Sequence, residues 1–194
     1  MMISSEALEA ARLIDRLERL ARAVEQVGRL NPAQWDALRY LARANRFSRT
    51  PATLADYLAS TRGTVSRTLA SLESKGFIGR TPSRRDGRSV DFAVTATGTK
   101  ALKRDPLFAL AEEIERAAGG EIGGLLHALR KVLRQAIAHN NGRAFGECFS
   151  CRHFRAGSHP ATRTPHHCAL LDERLSDQDS KFICVEHEPV MHAG

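Results

Sequence analysis

The stretch Thr61–Leu102 constrains the fold most, because it combines an amphipathic helix, a strand, a basic turn and a returning strand. Thr61 is a favourable N-cap for the helix, and Gly76 stands where a helix commonly ends. Apolar residues at i, i+4 and i+7 predict one buried stripe: Val65, Leu69 and Leu72. The sequence therefore predicts a short helix with one buried side and one side open to a partner.

The open side of this helix carries short hydroxyls and long guanidinium groups, with no acidic residue before Glu73. Such side chains suit phosphate oxygens and base edges in the major groove of DNA. We therefore predict that four residues on this side contact DNA: Arg62, Thr64, Ser66 and Arg67.

A β-hairpin is predicted to follow the helix. Phe77 and Ile78 begin one strand, and the alternation of Val90, Phe92 and Val94 predicts the returning strand. The turn between them is too short to bury a core and is strongly charged: Arg84, Arg85, Asp86 and Arg88. We predict that this turn reaches an anionic partner.

The basic charge of the chain is concentrated in the same region. Residues 61–104 contain ten Lys or Arg and three Asp or Glu, and this balance of +7 equals the net charge of the whole chain. The basic excess is therefore local rather than a general solubility feature. Helix, hairpin and charge coincide, which favours a nucleic-acid interface over the alternative of a solvated hairpin beside an ordinary amphipathic helix.

Three helices are predicted before this region. The pattern of residues 5–29 predicts a long helix that begins at Ser5. Its apolar residues form one stripe: Leu13, Leu17, Leu20, Val24 and Val27. Such a stripe packs along another helix, either within the chain or across a dimer. Asn31-Pro32 and Thr50-Pro51 are N-caps followed by proline, and each predicts a helix start. Only Ala59-Ser60 separates the last of these helices from the helix after Thr61, which predicts a helix-turn-helix.

Over residues 1–142 the sequence resembles the MarR family of winged-helix transcription regulators. The resemblance is carried by LADYLASTRGTVSRTLASLESKGFIGR, by the turn SRRDGRS, and by VTATGTKAL, which is similar to that family's V-x-L-T-x-x-G segment. Ala96 departs from the pattern, because the family more often has Thr there, and this predicts a weakened cap for the next helix.

The resemblance implies a homodimer with a helical dimerisation platform and one winged helix per subunit. It also implies binding to a near-palindromic double-stranded DNA operator, most often as a repressor. In the family, the wing arginine corresponding to Arg88 enters the minor groove, and the acid corresponding to Asp86 holds the wing arginines in place. The resemblance extends more loosely to the major-groove contacts predicted above.

The remaining part of residues 1–142 predicts helices for the platform. One pattern runs from Thr99 to about Ala117 and is interrupted at Asp105-Pro106, either by a kink or by a new N-cap. After Gly119-Gly120 a helix resumes over Glu121–His139. The predicted fold is mainly α with a small β-hairpin wing, a winged helix-turn-helix on a helical platform, followed by an irregular cysteine-rich module at residues 143–194.

All four cysteines lie in this last module, together with six of the eight histidines. Its composition predicts little regular structure, so it needs a staple to fold. The candidate ligands are Cys148, Cys151, Cys168 and Cys184, in the spacing C-x2-C-x16-C-x15-C. Four thiolates suit either a tetrahedral zinc ion or an iron–sulfur cluster, whereas permanent disulfides are unusual in a reducing cytoplasm.

A CxxC pair followed by two single cysteines resembles the high-potential iron–sulfur proteins, which implies a 4Fe-4S cluster, with structural zinc and a thiol–disulfide switch as alternatives. Phe145, Phe149, Phe154 and Phe182 flank the cysteines and supply either an apolar shell for a cluster or simply a small core. His153 and His167 are the nearest histidines that can replace a thiolate. We expect the module to sense redox state, oxygen or iron, and cluster loss to shift its packing on the helical platform.

The sequence contains no glycine-rich phosphate loop, nucleophile elbow or other catalytic constellation, so we expect a regulator and not an enzyme. It also contains no secretory pattern at the N-terminus and no apolar run of membrane-spanning length. We therefore expect a cytoplasmic protein without a membrane partner.

Overall fold

A computed structural model describes residues 2–25, 30–83 and 90–190. Its first four helices are α1 (Ser5–Glu25), α2 (Pro32–Arg43), α3 (Pro51–Tyr57) and α4 (Arg62–Ser74). Asn31 caps α2 by accepting a hydrogen bond from Gln34 N at 3.0 Å, and Thr50 and Thr61 cap α3 and α4 in the same way. These caps confirm the predicted helix starts, because they give partners to N–H groups that a helix cannot bond internally.

Gly76 ends α4 as predicted and turns the chain into the hairpin. Its φ of 73° lies in the left-handed region, and Leu72 O accepts from Phe77 N at 3.0 Å across the helix end. Strand β1 (Ile78–Pro82) then pairs antiparallel with β2 (Val90–Val94). The turn between the strands lies outside the described residues, and so do the predicted contacts Arg84, Arg85, Asp86 and Arg88.

The core of the winged helix lies between α2, α3, α4 and this hairpin. Its most deeply buried apolar side chains come from each of these elements: Leu38, Leu54, Leu69, Leu72 and Ile78. The predicted stripe of α4 is therefore confirmed, because Val65 is buried as well. Burial of this stripe fixes which side of α4 faces solvent.

Thr95, and not Ala96, is the N-cap of helix α5 (Ala96–Leu102). The Thr95 side chain accepts from Gly98 N at 3.2 Å and donates to Gly76 O at 2.7 Å. The expectation of a weakened cap at Ala96 was therefore wrong, because the cap lies one residue earlier and also ties α5 to the end of α4. Similarly, Ser4 rather than Ser5 accepts from the first turn of α1.

Asp105-Pro106 begins a new helix rather than kinking one. Helix α6 (Leu107–Ala118) follows it, Gly119 ends that helix with a φ of 55°, and α7 (Ile122–His139) completes the helical region. Asp105 accepts from Leu107 N at 2.9 Å and from Arg39 Nε of α2 at 2.8 Å. This carboxylate therefore joins the platform helices to the winged-helix core.

Helices α1, α6 and α7 expose their apolar faces in the single chain. Among the described residues, α6 and α7 contain no buried side chain. The exposed apolar residues of α1 and α7 follow one face of each helix: Leu13, Leu17, Leu20, Val24, Leu125, Leu129, Val132 and Leu133. An isolated helix gains little stability without packing of such a face, so these helices need a partner surface.

Residues 143–190 form more regular structure than the sequence predicted. The elements are β3 (Gly146–Glu147), a 3₁₀ turn at Cys148–Ser150, β4 (Phe154–Arg155), β5 (His166–Cys168), β6 (Glu173–Leu175), α8 (Asp177–Ser180) and β7 (Ile183–Cys184). Strands β4, β5 and β6 form one antiparallel sheet, and β3 pairs with β7. Strands of two or three residues leave no hydrophobic period, which is why the sequence did not indicate them.

This cysteine module packs directly on the segment 44–50, which joins α2 to α3. Asn45 N donates to Ile183 O at 2.9 Å, and Val185 N donates to Ser48 Oγ at 2.8 Å. The side chain of Ile183 belongs to the buried cluster of the winged helix, and Phe47 packs with Cys148 and Leu175 of the module. The two parts of the chain therefore share buried surface at this junction.

The position of the junction differs from the sequence-based mechanism, which placed the module on the helical platform. An open cleft with a volume of about 1320 Å³ lies between α7 and the junction, with Leu133 and Ile137 on one side and Phe145 and Ile183 on the other. The hydrogen bonds described above instead join the module to the connection between α2 and α3. The division of the chain into a domain at residues 1–142 and a cysteine-rich module at residues 143–194 stays a prediction.

Candidate functional site

The solvent-facing side of α4 presents the four residues predicted to contact DNA. Arg62, Thr64, Ser66 and Arg67 are all exposed, while the opposite side of the helix is buried. Within the described part of the chain, no hydrogen bond or ion pair holds the guanidinium of Arg62 or Arg67. The helix thus offers two cations and two hydroxyls to an external partner, and their role as base or phosphate contacts stays a prediction.

Arg80 fixes the base of the wing against α4. Its Nε donates to Glu73 Oε1 at 2.7 Å, and its guanidinium lies 5.8 Å from the centre of the Phe92 ring. Hydrogen bonding from Arg80 holds the pKa of Glu73 below its ordinary value. Arg80 therefore forms an ion pair within the chain. It was one of the ten basic residues of 61–104 from which the sequence predicted a nucleic-acid interface.

The four cysteines converge in the cysteine module and are not disulfide-bonded. Cys148 and Cys184 are buried, and Cys151 and Cys168 are partly buried. Burial, with smaller effects of the nearby Cys184, Cys151 and Cys168, raises the pKa of Cys148 to about 12. Cys148 begins the 3₁₀ turn and Cys151 directly follows it, whereas Cys168 lies in β5 and Cys184 in β7, so three segments contribute the thiols. Their role as a shared ligand set stays a prediction.

The thiols are neighbours without being arranged as a finished ligand sphere. Throughout residues 2–25, 30–83 and 90–190, no group of three or more His, Cys, Asp or Glu side chains is positioned to hold a metal ion. The chemistry of the donor set nevertheless fits a thiophilic metal, because four sulfur ligands satisfy tetrahedral zinc or an iron–sulfur cluster. Coordination requires the thiols to turn towards a common centre.

The two histidines that the sequence offered as substitutes for a thiolate lie beside carboxylates. His153 Nε2 lies 3.2 Å from Glu188 Oε1, and His167 Nε2 lies 3.3 Å from Asp172 Oδ1. These ring nitrogens, which the sequence offered as substitutes for a thiolate, therefore have another partner. The cysteines remain the better ligand candidates.

The phenylalanines near the cysteines divide between two environments. Phe154 packs beside Cys148 and Cys168 in the small core of the module. Phe145 instead packs edge-on against Tyr57, with ring centres 5.1 Å apart, on the winged-helix side of the junction. Only part of the predicted aromatic shell is therefore adjacent to the thiols.

Sequence reasoning missed the contribution of the segment 44–50 to the cysteine site. Asn45 and Ser48 are both at most 1% exposed, and the Ser48 hydroxyl accepts from Val185 N, directly after Cys184 in the chain, at 2.8 Å. Burial raises the pKa of Cys184, and these neighbouring polar groups partly oppose that increase. The sequence could not indicate Asn45 and Ser48, because two polar residues in a loop show no periodic pattern and lie more than 130 residues from Cys184 along the chain.

These features define a winged helix-turn-helix protein: α3 and α4 form the helix-turn-helix, and β1 and β2 form the base of the wing. A sequence model of the MarR family matches residues 30–89, a segment that contains α2, α3, α4 and β1 but ends before β2. No curated protein matches the whole sequence significantly.

Solved structures confirm the MarR-like fold. The chain is similar to the transcriptional regulator BldR from Sulfolobus solfataricus, with a TM-score of 0.55, 20% identity, and coverage of 70% of this chain and 99% of that chain. Wild-type MarR from E. coli in its apo form gives a TM-score of 0.52, 20% identity, and coverage of 71% and 99%. The MepR–DNA complex of S. aureus gives a TM-score of 0.56, 18% identity, and coverage of 70% and 96%.

Within the described ranges, no helix is both long enough and apolar enough to cross a membrane.

Proposed function

We propose that the chain is a DNA-binding transcription regulator of the MarR family that binds its operator as a homodimer, most simply as a repressor. The observation that carries this proposal is the exposed face of α4, where Arg62 and Arg67 have no ion-pair partner among the described residues. The family match over residues 30–89 supports it, and so does the likeness to MepR, a protein solved in complex with DNA.

The combined variant Arg62→Ala, Arg67→Ala tests this proposal. Duplexes enriched from a random-sequence library by the wild-type protein serve as the probe, and affinity is measured at several salt concentrations. Each lost phosphate contact should reduce the salt slope by about 0.9, and affinity should fall at least about tenfold. Arg116→Ala is the control, because Arg116 lies on α6 in an exposed pair with Glu113. Enrichment of no sequence, or equal affinity of wild type and variant, contradicts the proposal.

The homodimer accounts for the apolar faces of α1, α6 and α7. A second copy of the chain supplies the same exposed leucines, so two such surfaces complement each other about a two-fold axis. A dimer also places two copies of α4 to read two half-sites of a near-palindromic operator.

For the cysteine module we propose a bound iron–sulfur cluster, with 4Fe-4S favoured by the spacing, held by Cys148, Cys151, Cys168 and Cys184. The convergence of four unoxidised thiols supports this assignment. Structural zinc is the alternative, supported by the small core of the module, because a tetrathiolate zinc site stabilises folds of this size.

We further propose that occupancy of this site is the signal, through redox state, oxygen or iron. The module then has two states, one with the cluster or metal ion bound and one without it. The affinity of the protein for its operator differs between these two states. A tenfold change in operator affinity requires about 1.4 kcal/mol of coupling between site and operator.

Purification without oxygen tests the assignment. Broad absorption near about 400 nm with matching iron and sulfide supports the cluster, whereas a colourless protein with about one zinc per chain supports the alternative. Equal DNA affinity of the loaded and empty protein at matched salt contradicts sensing in either case. The variant Cys151→Ser should reduce metal content, and a protein that carries neither metal contradicts the cysteine-site proposal.

A further inference from the structure

We propose that Gln34 is a specificity-determining positioning residue, which holds the exposed face of α4 at a fixed rotation relative to α2. This inference rests on the proposed function, because it concerns how the chain distinguishes one DNA sequence from another. Gln34 lies in the first turn of α2 and is 4% exposed, so its own side chain is closed off from DNA. It acts through α4.

The side-chain amide of Gln34 forms three hydrogen bonds, two of them to the C-terminal end of α4. Its Nε2 donates to Ser71 Oγ at 2.8 Å, and its Oε1 accepts from Lys75 Nζ at 2.9 Å. The same oxygen accepts from Asn31 N at 3.1 Å, which completes a capping box at the start of α2. One buried side chain therefore joins the start of α2 to the end of α4.

The partners of Gln34 also fix the orientation of its amide. A backbone N–H and an ammonium group can only donate, so the amide oxygen must face Asn31 and Lys75. The amide nitrogen must then face Ser71. A flipped amide would lose its bonds to both donors, so the side chain has one arrangement that satisfies all of its partners.

Hydrogen bonds fix the rotation of α4 in a way that its apolar stripe does not. The burial of Val65, Leu69 and Leu72 is favourable over a range of small rotations and shifts, because the hydrophobic effect has no preferred direction. Hydrogen bonds weaken steeply when their distance or angle departs from the optimum. The bonds from Gln34 therefore favour one among several orientations of α4 that bury similar apolar area.

The residues that Gln34 bonds share a row of α4 with two of the predicted DNA contacts. Members of this row are three or four positions apart along the helix: Thr64, Arg67, Ser71 and Lys75. Gln34 holds the later half of the row, and the earlier half is exposed to a partner. Because the helix is stiff over this length, the same bonds determine the direction in which Thr64 and Arg67 point.

A change in this direction affects base contacts more than phosphate contacts. Phosphate binding depends mainly on charge and tolerates a small displacement of a cation, whereas base edges are read by directional hydrogen bonds. Side chains of a binding site must be held within about 0.5 Å and 10–20° of their working geometry. A chain without the Gln34 bonds should therefore still bind DNA but distinguish sequences less well.

The experiment uses the full chain, with duplexes that the wild type enriches from a random-sequence library as the probe. Discrimination is the Kd for a duplex with one changed base pair divided by the Kd for the enriched duplex, both measured at one salt concentration. A residue that only stabilises the fold changes the amount of active protein but not this ratio. Urea unfolding of each variant shows that it is folded under the conditions of the assay.

Two substitutions of Gln34 separate its hydrogen bonds from its volume. Gln34→Met keeps an unbranched side chain of similar length and removes the bonds to α4. Gln34→Glu is the conservative variant, because its carboxylate accepts from Asn31 N and Lys75, and the Ser71 hydroxyl can turn to donate to it. Glutamate also preserves the capping box of α2.

We expect Gln34→Met to lower the discrimination ratio at least about fivefold, the lower end of what one good base contact contributes, with little change in the salt slope. Gln34→Glu should restore most of the wild-type ratio. Ser71→Ala should lose part of the ratio, and adding it to Gln34→Met should have no further effect, because both changes remove the same bond.

Ser74→Ala is the matched control. Ser74 lies on the same helix, is exposed, and donates its hydroxyl to Ser71 O within α4 at 2.9 Å. Its replacement should leave the discrimination ratio at the wild-type value. If Gln34→Met does not fold, the comparison of Ser71→Ala with Ser74→Ala still tests the bond between α2 and α4.

The possible failures have different consequences. A wild-type discrimination ratio in Gln34→Met overturns the role of Gln34 and leaves DNA binding intact, even if the variant is less stable. A wild type that enriches no duplex overturns both DNA binding and the role of Gln34. An equal loss in Ser74→Ala, or no recovery in Gln34→Glu, also overturns the proposal, because the effect then does not belong to these hydrogen bonds.

Discussion

At the scale of single residues, Asp105 shows how one buried carboxylate joins two parts of the fold. Burial by itself raises its pKa, but hydrogen bonds from Arg39 and Leu107 N outweigh burial and hold the pKa below its ordinary value of 3.8. Because the folded-state pKa is depressed, this stabilisation is fully present above the unfolded-state pKa. It is lost as the pH falls through the folded-state pKa.

Asp105→Asn should therefore lower the free energy of unfolding at pH 7 by about 1.5–3 kcal/mol, the usual range for hydrogen bonds to a charged group. The variant should also lose part of the acid sensitivity of the wild type below about pH 4. Urea unfolding at pH 7 and at acidic pH measures both effects. Glu113→Gln, which removes an exposed pair with Arg116, is the control and should change stability by well under about 1 kcal/mol. An equal loss in both variants would contradict the role of Asp105.

At the scale of the elements, Gly76 and Gly63 form a natural pair for testing why α4 ends where it does. Among the described residues, and apart from the chain neighbours and the backbone of α4 itself, no atom lies within 4 Å of the place where a Cβ would stand at either glycine. Gly76 differs only in its φ of 73°, which an L-residue adopts with strain, whereas Gly63 lies inside α4 with no such φ. Space is therefore not a variable in the comparison.

Gly76→Ala should destabilise the protein by about 1 kcal/mol, and Gly63→Ala should stabilise it by about 0.4–1 kcal/mol. The difference arises because alanine restricts the unfolded chain in both variants but is strained in the folded chain only at residue 76. Thermal or urea unfolding of the two variants measures the two signs. Destabilisation of similar size in both would contradict the conformational explanation.

The same elements indicate what the sequence could predict. The caps at Asn31, Thr50 and Thr61 and the end of α4 depend on residues three or four positions apart, so local chemistry was sufficient. The cap of α5 was misplaced by one residue although its own bond, from Gly98 N to Thr95, is local. What no local pattern contains is the further bond from Thr95 to Gly76 O, which ties α5 to the end of α4. The strands of the cysteine module were missed because two or three residues cannot display an alternation.

At the scale of the whole molecule, composition and spacing indicated a common site for the four cysteines, which stays a prediction, but they did not indicate which segment supports the module. The sequence placed the module on the helical platform, whereas Phe47 and Ile183 each pack in the buried cluster that lies mainly on the other side of the junction. A side chain from one part of the chain that packs in the core of the other part depends on tertiary packing. Neither the hydrophobic periodicity nor the spacing of residues in the sequence indicates such a contact. The outward face of α4 was predictable because three residues of one stripe determine it.

The final prediction concerns assembly of the molecule. Leu133 of α7 and Leu17 of α1 are 59% and 47% exposed, although both lie on continuous apolar faces. If these faces form the dimer interface, Leu17→Glu combined with Leu133→Glu should convert the dimer to a monomer in sedimentation measurements, because each buried carboxylate would lack a partner. The melting temperature of the wild type should rise with protein concentration, and that of the variant should not.

Lys131→Ala is the control for this change, since Lys131 is also exposed on α7 and its replacement, like Leu133→Glu, lowers the net charge of that helix by one. A monomer should retain the winged-helix fold, because the described part of the core between α2, α3, α4 and the hairpin contains no residue of α7. It should nevertheless lose most of its affinity for a two-half-site operator, because only a dimer engages both half-sites at once. A variant that remains dimeric would place the interface elsewhere, and a wild type that sediments as a monomer would contradict the homodimer itself.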